Sequence, residues 1–504
     1  MMAQSVSGES GTLNPGTAAG RRQWIGMALG PVLAVVAFLV LPDSLSTNGK
    51  ITAAVAVLMA VWWVTEALPL AVTALLPLVL FPFLGVSEIG DAAAPYADDV
   101  IFLFMGGFMI ALAMQRWNLH KRVALRTVLA VGTKPVMLIA GFMIATAFIS
   151  MWVSNTATAV MMMPIGLSVL GLVSQLGDGK GDVNFATALM LGIAYAASIG
   201  SLSTIIGTPP NTLLVGYLEE NFDITISFGQ WMLFGLPISI VLLVLAWFVL
   251  TRVVFKPRLT SLPGGRELIR GQLDEMGPMS RGEWNALAVF VAAALSWIVI
   301  PTLADIDAVA GALPWLANIS DAGIAIAAAT VLFALPVNRA EGVRTLDWET
   351  ATRLPWGILL LFGGGLSLSS HFTDTGLSEW IGEQVTGLSA LPVIILVAAV
   401  VALVLVLTEL TSNTATAAAF LPILGGVAVG LGYGPMVLVV PAALAATCAF
   451  MLPVATPPNA IVFGTGHVTI GQMVRGGVWL NVISVILVTL AAYTLGAWVF
   501  DLAY

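Results

Sequence analysis

The chain is a succession of long apolar runs separated by short polar stretches. The runs cover residues 24–41, 51–68, 69–86, 99–115, 135–153, 157–176, 185–206, 211–220, 228–251, 284–303, 316–335, 355–370, 391–411, 415–432, 436–455 and 478–500. A helical membrane span needs about 20 apolar residues, whereas a barrel strand needs only about ten in alternation. These runs are continuous, so they predict helices. The two runs flanking residue 154 are joined by a tight polar turn, as are the two flanking residue 412. Each pair therefore brings the chain back to the side it started from. Runs 185–206 and 211–220 form one broken span, and 436–455 forms another with the stretch after 459. The pattern predicts an all-α polytopic membrane protein with about eleven transmembrane helices and two re-entrant hairpins. The first run follows Arg21 and Arg22, and no small-x-small cleavage site comes after it. It reads as a span and not as a cleaved leader.

Basic residues orient such a chain, because they gather on the cytoplasmic side. With the N-terminus inside, the inner segments hold Arg21, Arg22, Arg116, Lys121, Arg122, Arg126, Lys134 and Lys180. They also hold the six basic residues of 252–283, then Arg339, Arg344, Arg353 and Arg475. That accounts for 18 of the 19 Lys and Arg and leaves Lys50 alone outside. The expected location is the plasma (inner) membrane, with the N-terminus cytoplasmic and the C-terminus extracytoplasmic.

An internal repeat follows from the same reading. WVSNTATAVMMMP at 152–164 matches LTSNTATAAAFLP at 410–422, with an offset of 258 that also pairs FMGG at 104–107 with FGGG at 362–365. GTPPN at 207–211 is answered by ATPPN at 455–459. Each half thus carries a glycine-rich span, an SNT turn, a TPPN break and a final span. The expected organisation is a tail and first span over 1–50, a first repeat over 51–251, a cytoplasmic linker over 252–283 and a second repeat over 284–504. Five crossings per repeat, an odd number, put the two repeats in opposite senses in the membrane. Inverted repeats with broken helices are a recurring transporter plan, with the binding site near the bilayer midplane.

Composition closes off other classes. The chain is 59% hydrophobic and 9% charged over 504 residues, with mean hydropathy +0.99. Soluble domains carry roughly 25% charged residues. A net charge of −8 with no basic tail excludes nucleic acid as the expected partner. One cysteine, Cys448, excludes an internal disulfide and a cysteine metal cluster. There is no GxSG, no HExxH, no pair of aspartates within a span and no P-loop, so neither an intramembrane enzyme nor a primary pump is expected.

The motif stretches are polar without being charged. Residues 135–177, 183–218 and 410–474 contain no Asp, Glu, Lys or Arg. Polar groups at this depth are costly unless paired, buried in protein or facing a cavity. A proline pair breaks a helix and frees carbonyls on one side and N–H groups on the other. Carbonyls, hydroxyls and amide oxygens suit a small hard cation such as Na⁺, whereas half-helix N-termini suit an oxyanion. With no Arg or Lys at hand, a dianion would need bound cations to supply the missing positive charge. Two similar half-sites also suit a ligand with two similar ends, such as a short dicarboxylate.

SNTATA twice, GTPPN with ATPPN, and WWVTEALPL at 62–70 resemble the divalent-anion:sodium symporter family, the INDY-type dicarboxylate and citrate transporters. The resemblance runs from about 24 to 502. It implies a homodimer in the lipid bilayer, working by an elevator movement. It implies a first cation site from Ser150, Ser154, Asn155 and the Gly207 backbone. The second would use Thr408, Ser412, Asn413 and the Ala455 backbone. Substrate carboxylates would meet Asn155, Thr156 and Thr208 in one half and Asn413, Thr414 and Thr456 in the other, with Pro457 shaping the pocket. The implied function is Na⁺-coupled symport of a C4-dicarboxylate. The family also contains Na⁺-independent exchangers and citrate and sulfate transporters, and these are the alternatives. Glu409 and Glu66 are read as acids holding structure together, His371 as an interfacial residue, and Gly363–Gly365 as a site of close helix approach.

Overall fold

A computed structural model describes residues 15–132, 134–176, 182–304, 306–385, 387 and 390–502. Lys180, counted above, and the first fourteen residues lie outside the described residues. Helices α1 (Pro15–Val40) and α2 (Thr47–Thr65) pack against each other. Then come α3 (Leu70–Thr73), α4 (Leu76–Phe83), α5 (Ile89–Ala93), α6 (Asp99–Arg116), α7 (Leu119–Val131), α8 (Pro135–Ser150), α9 (Asn155–Leu176), α10 (Val183–Ser201), α11 (Pro209–Phe222) and α12 (Phe228–Phe248). The linker carries α13 (Gly265–Glu275). The second half holds α14 (Arg281–Ala304), α15 (Asp307–Ala312), α16 (Asp321–Ala334), α17 (Trp348–Ala351), α18 (Trp356–Asp374), α19 (Leu377–Gln384), α20 (Val393–Thr408), α21 (Asn413–Gly430), α22 (Met436–Thr447), α23 (Pro457–Gly464), α24 (Ile470–Ala491) and α25 (Ala497–Phe500). A two-stranded ribbon, β1 (Pro336–Asn338) with β2 (Val343–Arg344), is antiparallel. The fold is all-α and polytopic. Among the described residues nine helices are long and apolar enough to cross a membrane, and five shorter apolar helices accompany them.

The halves correspond helix by helix. The offset of 258 carries α8 onto α20 and the start of α9 onto the start of α21. It also carries α6 onto α18 to within a residue and the start of α7 onto the start of α19. Both α8 and α20 have 16 residues. At 1.5 Å per residue that is about 24 Å, less than the ~30 Å hydrocarbon core. Each therefore stops short, turns at a serine and returns as the longer α9 or α21.

The glycine-rich helices pack across the halves in a reciprocal way. A Cβ on Gly106 of α6 would lie 2.6 Å from the Ala325 backbone of α16. One on Gly364 of α18 would lie 2.2 Å from the Ala74 carbonyl oxygen, just after α3. Only hydrogen side chains permit these contacts, as in small-residue packing of membrane helices. Trp63 is buried and donates to the Leu70 carbonyl at 3.2 Å, which ties α2 to α3. Trp62 packs beside Gly30 of α1.

His371 departs from the interfacial reading. It is buried, its ring stacks on Phe81 with centroids 4.0 Å apart, and its Nδ1 lies 2.7 Å from the Ser367 carbonyl. Its Nε2 lies 2.7 Å from Ser87 Oγ. With both ring nitrogens paired, it serves the packing of α4 against α18.

Candidate functional site

Two hairpin tips and two helix breaks meet at one cavity of about 510 Å³. Its lining includes Ser154, Asn155 and Thr156 from the first tip and Ser412, Asn413 and Thr414 from the second. The breaks add Gly207, Thr208 and Pro209 on one side and Ala455, Thr456 and Pro457 on the other. These residues lie up to 303 positions apart in the chain. The structure thus brings together 11 residues expected from the motifs or adjoining them, as well as Pro209.

The local reason is the same four times. A helix begins at each of these points: α9 at Asn155, α11 at Pro209, α21 at Asn413 and α23 at Pro457. First-turn N–H groups have no partner within their helix, and the N-terminal end carries partial positive charge. Proline fits the first helical position because its absent N–H would be unpaired there anyway. Four positive helix ends therefore surround a cavity whose lining, among the described residues, has no Lys or Arg.

Behind the tips, the opposite ends gather oxygen. Ser150 ends α8, is fully buried, and its Oγ lies 3.2 Å from Asn155 Oδ1 and 2.5 Å from the Ala197 carbonyl. Thr408 ends α20, is fully buried, and its Oγ1 lies 2.8 Å from Asn413 Oδ1 and 2.7 Å from the Ala446 carbonyl. A hydroxyl has one proton, so each cluster presents two acceptors to a single donor. That surplus of oxygen near a helix C-terminus suits a cation. Ser150 and Thr408 stand outside the cavity lining, one layer behind Asn155 and Asn413.

The breaks are held by their own asparagines. Asn211 Nδ2 donates to the Thr204 carbonyl at 2.9 Å, with Ser201 and Leu202 carbonyls at 3.4 Å. Asn459 Nδ2 donates to the Leu452 carbonyl at 3.1 Å and the Ala449 carbonyl at 3.3 Å. The TPPN amides, which the sequence offers as groups for a guest, are instead turned onto the carbonyls freed by the break. Gly207 is pressed against the chain: a Cβ there would lie 2.3 Å from the Ser201 carbonyl oxygen. Its counterpart Ala455 carries that Cβ, so the two breaks are not identical.

Glu409 is buried and serves the second break. Its carboxylate accepts from the backbone N–H of Phe450 at 2.7 Å, Met451 at 2.9 Å and Leu452 at 3.1 Å, and from Asn481 Nδ2 at 2.7 Å. The structural reading of this acid holds, but its partners lie in the break and on α24, away from the hairpin backbone. In the first half Met151 stands at the matching position, and the Thr204 hydroxyl donates to the Met151 carbonyl.

Glu66 departs from expectation. It lines the cavity, it is exposed, and no hydrogen bond or ion pair reaches its carboxylate among the described residues. A structural acid would be paired. Phe104, Phe108, Leu70, Ile358, Pro453 and Val454 also line the cavity, and no polar motif marks them in the sequence. The signal that was available for Phe104 is its place in the FMGG stretch that repeats at 362–365.

Known proteins resemble the chain over most of its length. The transporter SdcS of Staphylococcus saprophyticus, named as a sodium-dependent dicarboxylate transporter, is 44% identical over 479 residues, 94% of this chain and 91% of that one. The protein of that name from Staphylococcus aureus is 43% identical over the same shares. Among solved structures, the Alcanivorax borkumensis YdaH transporter superposes with a TM-score of 0.58 at 17% identity, covering 88% of this chain and 98% of that one. Neisseria gonorrhoeae MtrF gives 0.58 at 14% identity, covering 98% and 96%. At these identities the two structures speak for the fold alone. The profile described as the sodium:sulfate symporter transmembrane region matches residues 21–502, and the chain therefore belongs to that family of multi-pass membrane transporters.

Proposed function

We propose that this protein couples the entry of Na⁺ to the uptake of a C4-dicarboxylate such as succinate, malate or fumarate. One observation carries the reading: two SNT tips and two TPPN breaks line a single cavity that has helix N-termini around it and, among the described residues, no basic side chain. In this reading the dianion sits between Asn155, Thr156 and Thr208 on one side and Asn413, Thr414 and Thr456 on the other, beside Pro457. One Na⁺ is held by Ser150, Ser154, Asn155 and the Gly207 backbone. A second is held by Thr408, Ser412, Asn413 and the Ala455 backbone. The cations supply positive charge that the protein does not, so anion affinity depends on them. The names of the staphylococcal relatives, at 43–44% identity over 94% of the chain, support Na⁺ and a dicarboxylate as the cargo.

The wider picture is part of the same proposal. The halves are inverted repeats in the plasma membrane, with the linker 252–283 and the N-terminus in the cytoplasm and the C-terminus outside. The hairpins and broken helices move together as an elevator against the remaining helices, and two copies associate as a homodimer.

The test is thermal unfolding of the purified protein against a panel of anions, in Na⁺ and in choline. A ligand present at 100 times its Kd stabilises the folded state by about 2.7 kcal/mol. Succinate is expected to raise the Tm in Na⁺ and to leave it unchanged in choline. Equal stabilisation in both would overturn Na⁺ coupling and favour an exchanger. Stabilisation by sulfate but by no dicarboxylate would overturn the substrate.

A further inference from the structure

Among the described residues Glu66 is the one acidic or basic side chain in the cavity lining. It shares that lining with motifs that carry no charge and stands at the end of α2, where it caps the helix with φ 52° and ψ 37°. Side chains other than glycine, asparagine and aspartate rarely take that left-handed conformation. Holding a glutamate there has a conformational cost, and such costs gather at functional positions. The cap fixes where the side chain leaves the backbone. The helix end adds its own partial negative charge beside the carboxylate. Arg22 reaches the same end of α2, but its guanidinium donates to the Val64 carbonyl and makes no ion pair with Glu66. The carboxylate therefore lines the cavity with no ion-pair partner among the described residues.

We propose that Glu66 is a specificity-determining residue that sets the charge of the guest. The inference rests on the dianion reading above and deepens it. A fixed negative charge facing the cavity repels a guest in proportion to the guest's own charge. The two Na⁺ of the proposed sites balance a dianion, and among the described residues no Lys or Arg in the lining balances a third negative charge. Across a cavity of about 510 Å³, about 10 Å wide, each added unit of guest charge weakens binding roughly four- to seventeenfold at effective dielectric constants of about 20–40. The site thus takes dicarboxylates and rejects fully ionised tricarboxylates that are small enough to enter.

Proteoliposomes holding the full chain test this. Na⁺-driven succinate uptake gives KM, and its inhibition by citrate gives Ki, at one pH where citrate carries three charges and a lower one where it carries two. In Glu66→Gln the ratio of Ki for the trianion to KM for succinate is expected to fall roughly four- to seventeenfold. Glu66→Asp, which keeps the charge, is expected to hold the wild-type ratio. At the lower pH the ratio is expected to be the same in wild type and Glu66→Gln. A ratio unchanged in Glu66→Gln at the higher pH overturns the proposal. So does an equal change at both pH values, which would mark a steric effect. Glu66→Asn, whose side chain tolerates the left-handed cap, provides the same comparison if the Gln variant does not fold. Wild-type protein that takes up no succinate with Na⁺ would instead overturn the dicarboxylate reading itself.

Discussion

Glu409 and the pair Ser150–Thr408 act at the scale of single residues, and each answers to substitution in a distinct way. Glu409 accepts four N–H groups from the second break and from α24. In Glu409→Gln one oxygen becomes a donor, so at least one buried N–H faces another. Stranding one buried group costs about 1–3 kcal/mol. The variant is expected to unfold at lower temperature in detergent, with or without ligand. Thr408 differs: its hydroxyl belongs to an oxygen cluster and not to a load of helix hydrogen bonds. Thr408→Val is expected to raise the Na⁺ concentration needed for half-maximal succinate binding at least tenfold. Thr408→Ser keeps the hydroxyl and is expected to stay within threefold. Titrating Na⁺ at fixed succinate reads both variants.

At the scale of elements, the breaks matter more than the helices they interrupt. Asn211 and Asn459 bridge the freed carbonyls, so each break is a fixed bend and not a frayed end. The two breaks differ in how closely the chain folds back. Gly207→Ala would push a methyl to 2.3 Å from the Ser201 carbonyl oxygen, displacing the backbone assigned to the first cation site. It is expected to weaken Na⁺ binding at least tenfold, while Ala455→Gly in the other half is expected to change it less than threefold. Isothermal titration with Na⁺ compares them. The hairpins are legible in sequence almost to the residue, because a short polar turn between two apolar runs admits few conformations. α7 and α19 were not predicted as separate elements. They carry no long apolar run, and their place is fixed by packing: α7 against α8 and α13, α19 against α21.

The whole molecule shows a charged junction at one end. Arg122 of α7 meets Glu283 at the start of α14, with Nε 2.6 Å from Oε1, and both side chains are about 95% buried. The same guanidinium donates to the Gly277 carbonyl of the linker at 2.9 Å. Arg116 pairs with Asp347 at 2.6 Å, and Trp117 Nε1 donates to the Thr345 carbonyl at 2.7 Å. The ends of α6 and α14, the linker and the β-ribbon region are thereby tied together. Removing one partner of a buried ion pair costs about 3–5 kcal/mol, whereas replacing both by apolar groups is often neutral. Arg122→Met is expected to lower the Tm, and adding Glu283→Leu is expected to recover most of the loss. The basic residues gathered at this end accord with the proposed cytoplasmic side. Cys448 is fully buried, so a cysteine at exposed Gly271 in the linker provides a clean label. An impermeant maleimide is expected to reach Gly271→Cys in inside-out vesicles and not in right-side-out ones.

The sequence by itself determined where the long apolar helices run, where they turn and where they break. These follow from local chemistry: apolar length, proline pairs and short polar turns act within a few residues. It also determined the pairing of SNT and TPPN motifs at fixed offsets, which made a shared site the expected outcome. Only the tertiary structure decided which polar groups remain free. Asn155 and Asn413 face the cavity, while Asn211 and Asn459, equally polar and close by in the chain, turn to backbone carbonyls. Glu409 and Glu66 exchange the prominence their positions imply, one enclosed by N–H donors and the other left bare on the cavity wall. The reason is physical: whether a polar atom is satisfied depends on partners brought near by packing, and those partners come from distant parts of the chain.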